Sequence, residues 1–175
     1  MGREIRRVPP NWSHPTEETS CGMDTSRFVP LHDQTHAEAM AEWEGRKALW
    51  DAGERPEDWT AGCTFDDWYG EAPDPDQYRS FTSDGATWFQ VYETVSEGTP
   101  VTPPFATLDE LVAHLADHGD EWDWECAEGG RQGATGWGLA SAKAFCLAKW
   151  TPTAVIRDNE ILTNPGEIAV APRPR

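Results

Sequence analysis

The chain has few cysteines, few basic residues and no long hydrophobic run. Its four cysteines include no Cys-x-x-Cys pair. This scatter favours reduced thiols, although four cysteines are also compatible with two disulfide bridges. No apolar run approaches the ~20 residues that a membrane span requires. The opening basic residues lead into Val-Pro-Pro and not into the apolar stretch of a secretory signal. These absences predict a soluble, cytoplasmic protein, and we expect no membrane association.

The scarcity of basic residues leaves a strong negative charge. The 175 residues include 31 Asp and Glu against 14 Lys and Arg, which gives a formal charge of -17. Such a chain repels a nucleic-acid backbone or an anionic membrane, so its natural partners are basic proteins and basic grooves. The 10 Trp, 6 Phe and 3 Tyr are too many for a disordered acidic tail, so we expect the chain to fold.

The length suits one domain of the α+β class. A chain of this size buries roughly 70% of the surface that its unfolded form exposes, so a core is feasible without disulfides. We expect an extended N-terminal segment over 1–30 and a single α+β domain over 31–175, with about three helices packed on a small antiparallel sheet and long polar loops. The first segment predicts one short edge strand near 4–8, because Pro9 and Pro10 stop any ladder there.

Three helices are predicted from apolar spacing and end signals. The residue ranges are 33–51, 108–118 and 139–150. The first should end before Gly53. The second is the clearest, because Thr107 and Glu110 form a capping box and Gly119 supplies the stop. Pro152 ends the third.

Strands are predicted where β-branched and aromatic residues are dense. One lies over 87–95, and a hairpin is expected from 153–157 and 160–163 around the turn pair Asp158-Asn159. The residues from 53 to 80 are rich in glycine and proline. We expect a long surface loop there, with one helical turn at most over 65–70.

The acidic residues concentrate in two stretches that also contain tryptophan. Residues 51–76 and 109–128 each contribute -8 of the total -17. A surface that binds Arg- or Lys-rich protein would use both carboxylates and aromatic rings. The alternative is that the tryptophans turn inward to fill a small core while the acids face water. The predicted partner-binding residues are Asp66, Asp67, Trp68, Tyr69, Asp120, Glu121, Trp122, Asp123, Trp124 and Glu125.

Three blocks of the sequence, 3–15, 65–71 and 92–100, resemble a functionally uncharacterised family of small acidic proteins of tailed bacteriophages and prophages. The blocks read REIRRVPPNWSHP, FDDWYGE and YETVSEGTP and together contain 29 of the 175 residues. The resemblance implies a phage setting and the cytoplasm of a bacterial host, and it implies no mechanism. Residues 120–149 depart from the family.

Residues that could support a metal site or catalysis form only weak patterns. The pairs His32/His36 and His114/His118 have the spacing of zinc ligands on a helix, and Cys21 or Cys126 could complete a set. Solvated or locally hydrogen-bonded histidines are the favoured interpretation. Ser141 lies outside a nucleophile elbow, and the glycine-rich stretch lacks the Lys-Ser/Thr of a phosphate loop. We therefore predict no catalytic residue, no metal and no cofactor.

The leading hypothesis is a phage-encoded, non-enzymatic inhibitor of a bacterial defence protein, of the anti-CRISPR or anti-restriction type. Its carboxylates would substitute for phosphates in the basic groove of a nucleic-acid-handling protein. One alternative is a nucleotide-binding sponge or enzyme built around Trp88, Tyr92 and the loop 129–136. Another is a phage structural or assembly protein stabilised by metal at the histidine pairs.

Overall fold

A computed structural model describes residues 2–18, 26–120, 136–152, 154–157, 160–162 and 168. The chain forms two compact units. One, which we call the sheet unit, combines Met1–Pro30 with Phe81–Arg175, and the other, the acidic unit, is Leu31–Ser80. The expected boundary at residue 30 coincides with the start of the acidic unit, whereas residues 81–175 group with the N-terminal residues and not with 31–80.

Ten strands and four α-helices lie within the described part of the chain. The strands are β1 (Gly2–Val8), β2 (Thr16–Glu18), β3 (Ser26–Phe28), β4 (His32–Thr35), β5 (Tyr78–Arg79), β6 (Trp88–Glu93), β7 (Thr99–Pro100), β8 (Trp150–Pro152), β9 (Val155–Arg157) and β10 (Glu160–Leu162). The helices are α1 (His36–Asp51), α2 (Phe65–Tyr69), α3 (Leu108–His118) and α4 (Leu139–Ala148). The predicted α+β class is confirmed.

The main sheet is antiparallel and has the strand order β7-β6-β1-β8. Strand β1 lies inside it, paired with β6 along its length and with β8 at its start. The strand is present, but the prediction that it lies at the edge of the sheet is wrong. Pro9 and Pro10 follow the last paired residue, so they end the strand without removing a ladder bond. A Cβ atom at Gly2 would overlap the carbonyl oxygen of Thr151, so glycine permits the close approach of β8.

The core of the sheet unit consists of apolar side chains from α3, α4 and β6. Leu111 and Leu115 of α3 pack with Phe145 of α4 and Val91 of β6, and all four are fully buried. The predicted capping box is confirmed, because the backbone N–H of Glu110 donates to Thr107 and the Glu110 carboxylate accepts from the backbone N–H of Thr107. Helix α3 is thus specified by both its end signals and its apolar stripe.

Helix α4 ends two residues earlier than the sequence predicts. Lys149 adopts a left-handed backbone conformation with φ of 61°, and its N–H still bonds to the Phe145 carbonyl at 2.7 Å. The chain then enters β8, because Trp150 pairs with Glu4 of β1. Tertiary pairing with β1 therefore takes the residues that local helix propensity would have kept in α4.

In the acidic unit, α1 follows a short strand. Strand β4 pairs in parallel with β5, so the helix begins at His36 and not at the predicted residue 33. Its predicted end is confirmed. Gly53 has a φ of 94°, its N–H bonds to the Trp50 carbonyl, and the N–H of Glu54 bonds to the Leu49 carbonyl. This is a Schellman motif, which favours glycine at the left-handed position.

The remaining elements are small. The predicted C-terminal hairpin is confirmed by antiparallel pairing of β9 with β10, in which Ile156 faces Ile161; its turn residues 158 and 159 lie outside the described residues. Strands β2 and β3 also form an antiparallel pair. Helix α2 is the single helical turn expected within the long loop. Among the described residues, no helix is both long and apolar enough to cross a membrane.

Candidate binding surface

Five aromatic side chains cluster in the acidic unit, and the buried ring of Phe65 is at their centre. The Phe65 side chain is 5% exposed, and its ring centroid lies 5.4 Å from that of Trp43, 5.8 Å from that of Trp50 and 5.1 Å from that of Tyr69. Trp59 joins through an edge-to-face contact with Trp50 at 6.1 Å. These separations are typical of stabilising aromatic pairs. We call these five residues the aromatic cluster.

Three of the four cationic side chains of the acidic unit lie over rings of this cluster. The guanidinium carbon of Arg55 is 3.9 Å from the Trp50 ring centroid and 5.6 Å from that of Trp59. Arg46 lies 5.6 Å from the Tyr69 ring, and the Lys47 ammonium lies 5.5 Å from Phe65. The cluster therefore attracts cations within its own chain.

The acidic unit carries most of its negative charge on its surface. It contains 13 acidic residues and 4 basic ones, so it holds -9 of the total -17. Lys47 pairs with Asp51, and Arg79 lies near Asp33 and Glu38. Glu42 lies 3.9 Å from Arg46. The other nine carboxylates are exposed and form no ion pair within the described structure; they are Glu44, Glu54, Glu57, Asp58, Asp66, Asp67, Glu71, Asp74 and Asp76.

The predicted residues 66–69 have four different roles. Asp66 is exposed. Asp67 caps α2, accepting at 2.8 Å from the backbone N–H of Thr64, and the bonds from the Thr64 backbone and hydroxyl lower the pKa of this carboxyl. Trp68 is half-buried, and Tyr69 belongs to the aromatic cluster. Asp67 therefore has a role in the helix cap, whereas the exposed Asp66 and the half-buried Trp68 and Tyr69 leave surface for contact with a partner.

Asp120 is buried, in contrast to the exposed carboxylate that the sequence predicts. It is 2% exposed, and its Oδ2 accepts from Arg3 Nε at 2.6 Å, while Arg3 Nη1 donates to Glu93 Oε1 at 2.6 Å. Burial acts to lower the pKa of Arg3, but the two carboxylates outweigh it and raise that pKa. Asp120 thus serves as an internal counter-ion. The predicted residues Glu121, Trp122, Asp123, Trp124 and Glu125 lie outside the described residues.

A buried polar chain in the sheet unit has no counterpart in the sequence-based predictions. Tyr92, fully buried, donates to Gln90 Oε1 at 2.9 Å. Nδ1 of His14 lies 3.3 Å from the Tyr92 hydroxyl, and its Nε2 lies 2.7 Å from the Val29 carbonyl oxygen. The alternation of β6 places Gln90 and Tyr92 on one face, but no pattern marks His14. Because Tyr92 is buried, its ring offers no stacking platform for the nucleotide alternative.

Burial lowers the pKa of His14. The hydrogen bond to the Val29 carbonyl opposes this shift, and the positive charge of Arg6 adds to it. The Arg6 guanidinium carbon lies 4.7 Å from the Tyr92 ring centroid, and Arg6 Nε donates to Glu4 at 2.6 Å. The site of His14 therefore disfavours the charged form of its imidazole.

The histidine pairs make local contacts. The ring of His32 stacks on Tyr78 at 4.8 Å, and His36 Nε2 lies 3.1 Å from the Pro73 carbonyl oxygen. The rings of His114 and His118 are 5.2 Å apart.

Across the described ranges, no group of three His, Cys, Asp or Glu side chains could hold a metal ion. Cys21 and Cys126, the suggested additional ligands, lie outside those ranges.

Cys146 is suited to packing and not to nucleophilic chemistry. Its side chain is buried within the core cluster of the sheet unit, and burial raises the pKa of its thiol to about 11. A thiol with this pKa remains protonated near neutral pH and is a poor nucleophile.

Comparison with known proteins finds no matching family model, no similar curated protein and no similar solved structure.

Proposed function

We propose that the protein is a non-enzymatic binding protein that uses the surface of the acidic unit to occupy a basic, nucleic-acid-binding site on another protein. The observation that carries this proposal is the set of exposed carboxylates that have no cationic partner within the described structure. Nine such carboxylates give the acidic unit a strongly negative surface. Spaced carboxylates of this kind suit a groove that normally accepts phosphates.

The phage-type sequence blocks suggest the biological setting of this binding. A phage protein made in an infected bacterium would meet restriction enzymes and CRISPR effectors, which have positively charged channels for nucleic acid. We therefore propose a phage-encoded inhibitor of such a defence protein. The partner is a basic, nucleic-acid-handling bacterial protein, and the inhibitor makes no direct contact with nucleic acid.

The first experiment is a pull-down from the bacterial host with the tagged protein, followed by mass spectrometry and a salt titration of the retained partner. Affinity should fall steeply between low and physiological ionic strength, where the Debye length shortens to about 8 Å. Retention of a basic nucleic-acid-binding protein, displaced by added DNA, supports the proposal. Salt-insensitive binding contradicts it.

A charge-matched pair of variants tests whether the acidic unit is the surface used. Glu57→Gln/Asp58→Asn/Asp66→Asn removes three exposed charges from the acidic unit, and we expect it to weaken binding by roughly tenfold at low salt. Asp84→Asn/Asp117→Asn/Glu160→Gln removes three exposed charges from the sheet unit and should have a smaller effect. Equal effects of the two variants would show that only the net charge matters.

A further inference from the structure

We infer that the aromatic cluster of the acidic unit is a binding site for arginine side chains of a basic protein partner, and that Arg55 occupies this site until the partner displaces it. The inference rests on the proposed function and names the chemistry that the partner must present.

Arg55 is held by two rings and two carbonyl oxygens. Its guanidinium lies over Trp50 and near Trp59, as described above, and its Nη1 donates to the carbonyl oxygens of Trp50 and Glu54 at 2.6 and 2.7 Å. The side chain is nevertheless exposed. The guanidinium thus lies over a ring and donates hydrogen bonds at a position that solvent and a partner can reach.

The carboxylates that flank Arg55 in the sequence are not used to hold it. Glu54, Glu57 and Asp58 are exposed, and in the described structure none of them forms an ion pair with Arg55. Arg55 is therefore flanked in the sequence by three exposed anions that form no ion pair in the described structure. An incoming arginine could take the place of Arg55 on the rings and also gain bidentate contacts with these carboxylates, which the internal arginine does not make.

The internal contact is weak enough to exchange. Both hydrogen bonds of Arg55 lie in exposed positions, where water competes for the same groups, and an exposed cation–π contact is worth only a few-fold in an equilibrium constant. A partner with several arginines gains multiple contacts for a single association event, so replacement is favoured by multivalency. A lysine side chain would also be attracted by the carboxylates of the acidic unit. It lacks, however, the planar guanidinium that can lie flat on the Trp50 ring while it donates hydrogen bonds. The site should therefore prefer arginine to lysine.

The test measures the binding of a nine-residue oligoarginine and a nine-residue oligolysine peptide by calorimetry at low and physiological salt. For the unaltered chain we expect oligoarginine to bind about three- to fivefold more tightly than oligolysine at equal charge. Arg55→Gln should strengthen oligoarginine binding by a further few-fold, because it empties the rings. Arg79→Gln is the control: it removes one positive charge from the same unit, but Arg79 lies near Asp33 and Glu38 and not over the aromatic cluster.

Trp59→Leu provides a second readout that does not depend on Arg55. It keeps an apolar side chain but removes a ring, so the preference for oligoarginine should shrink towards one. Melting temperatures establish that each variant is folded, and if Arg55→Gln unfolds the end of α1, the Trp59→Leu result decides. Equal affinity for the two peptides, or equal gains from Arg55→Gln and Arg79→Gln, overturns the arginine site but leaves the electrostatic function in place. Binding of neither peptide at low salt contradicts both proposals.

Discussion

The two units of the chain use aromatic and charged residues in opposite ways. In the sheet unit, apolar side chains such as Leu111 and Phe145 are fully buried between α3, α4 and the sheet. In the acidic unit, Phe65 is the central buried ring, and the surrounding Trp50 and Trp59 are only half-buried. The first arrangement supports stability, while the second leaves ring surface available for contact.

The contrast in charge is equally sharp. The sheet unit places Arg3 between Asp120 and Glu93 inside the fold, whereas the acidic unit leaves most of its carboxylates in solvent. A buried ion pair is costly to break, because the remaining charge loses its partner in a poorly solvated site. An exposed carboxylate costs little to remove but contributes to long-range attraction. The same residue type is therefore structural in one unit and suited to binding in the other.

The largest effect is expected for Asp120→Asn. This change removes the negative charge that faces Arg3 and should destabilise the fold by roughly 3–5 kcal/mol, the range for breaking a buried pair from one side. Chemical denaturation monitored by circular dichroism measures it. Asp51→Asn is the matched control, because its pair with Lys47 is exposed and should contribute less than about 1 kcal/mol. Similar losses for both variants would contradict the distinction between the two units.

The burial of Asp120 could not be predicted from the local sequence. In the sequence it is the first residue of a run of acids and tryptophans, and the local pattern predicts a solvated or partner-binding carboxylate. Its actual partner lies 117 residues away in β1. Local spacing does not predict this contact, because it depends on β1 being an interior strand. Pro9 and Pro10 had instead led to the prediction of an edge strand.

Features encoded within a few residues were predicted well. The capping box of α3, the glycine stop of α1, the strand at β6 and the pairing of β9 with β10 all follow from short-range spacing. A similar signal at Thr64 and Asp67 would have identified Asp67 as a capping residue and not as a free carboxylate. Burial by distant elements, as for Tyr92 and His14, is what local patterns leave out.

The next largest effect is expected for Leu111→Ala in the sheet unit. Leu111 is fully buried in the middle of α3, so the cavity should cost roughly 2–5 kcal/mol. Leu147→Ala is the control, because the Leu147 side chain is 85% exposed and its truncation should be almost neutral. Thermal and denaturant unfolding of the two variants measures the difference, and a near-neutral Leu111→Ala would mean that the α3 stripe is not a core.

Hydrogen exchange on the same variant sharpens the comparison between units. Leu111→Ala should speed amide exchange in α3 and α4 more than in α1, because the lost packing lies within the sheet unit. An equal increase throughout would mean that the two units unfold together.

A smaller effect is expected from acid. Burial lowers the pKa of His14, and burial followed by the charge of His118 lowers the pKa of His114. As the pH falls through the ordinary value of 6.5, the unfolded chain binds protons before the folded one does. Stability should therefore decrease below this pH and level off once the folded state is protonated.

Two variants assign this acid sensitivity to its source. His14→Gln and His114→Gln should each reduce the dependence of the melting temperature on pH below the ordinary value of 6.5. The expected change is largest when both are combined. An unchanged pH dependence in the double variant would show that these imidazoles do not control it.

The smallest effect concerns the helix caps, which occur in both units. Thr107→Ala removes the cap of the eleven-residue helix α3, whose stripe fills the core of the sheet unit, and should cost about 1 kcal/mol of global stability. Thr64→Ala removes the corresponding cap of the five-residue helix α2, which carries Asp66 and Tyr69. There we expect little change in the global midpoint but faster amide exchange over α2, because a short helix depends on its cap more than on its own backbone bonds. Equal global losses in the two variants would contradict the view that α2 is a local feature of a binding surface while α3 is part of the stable core.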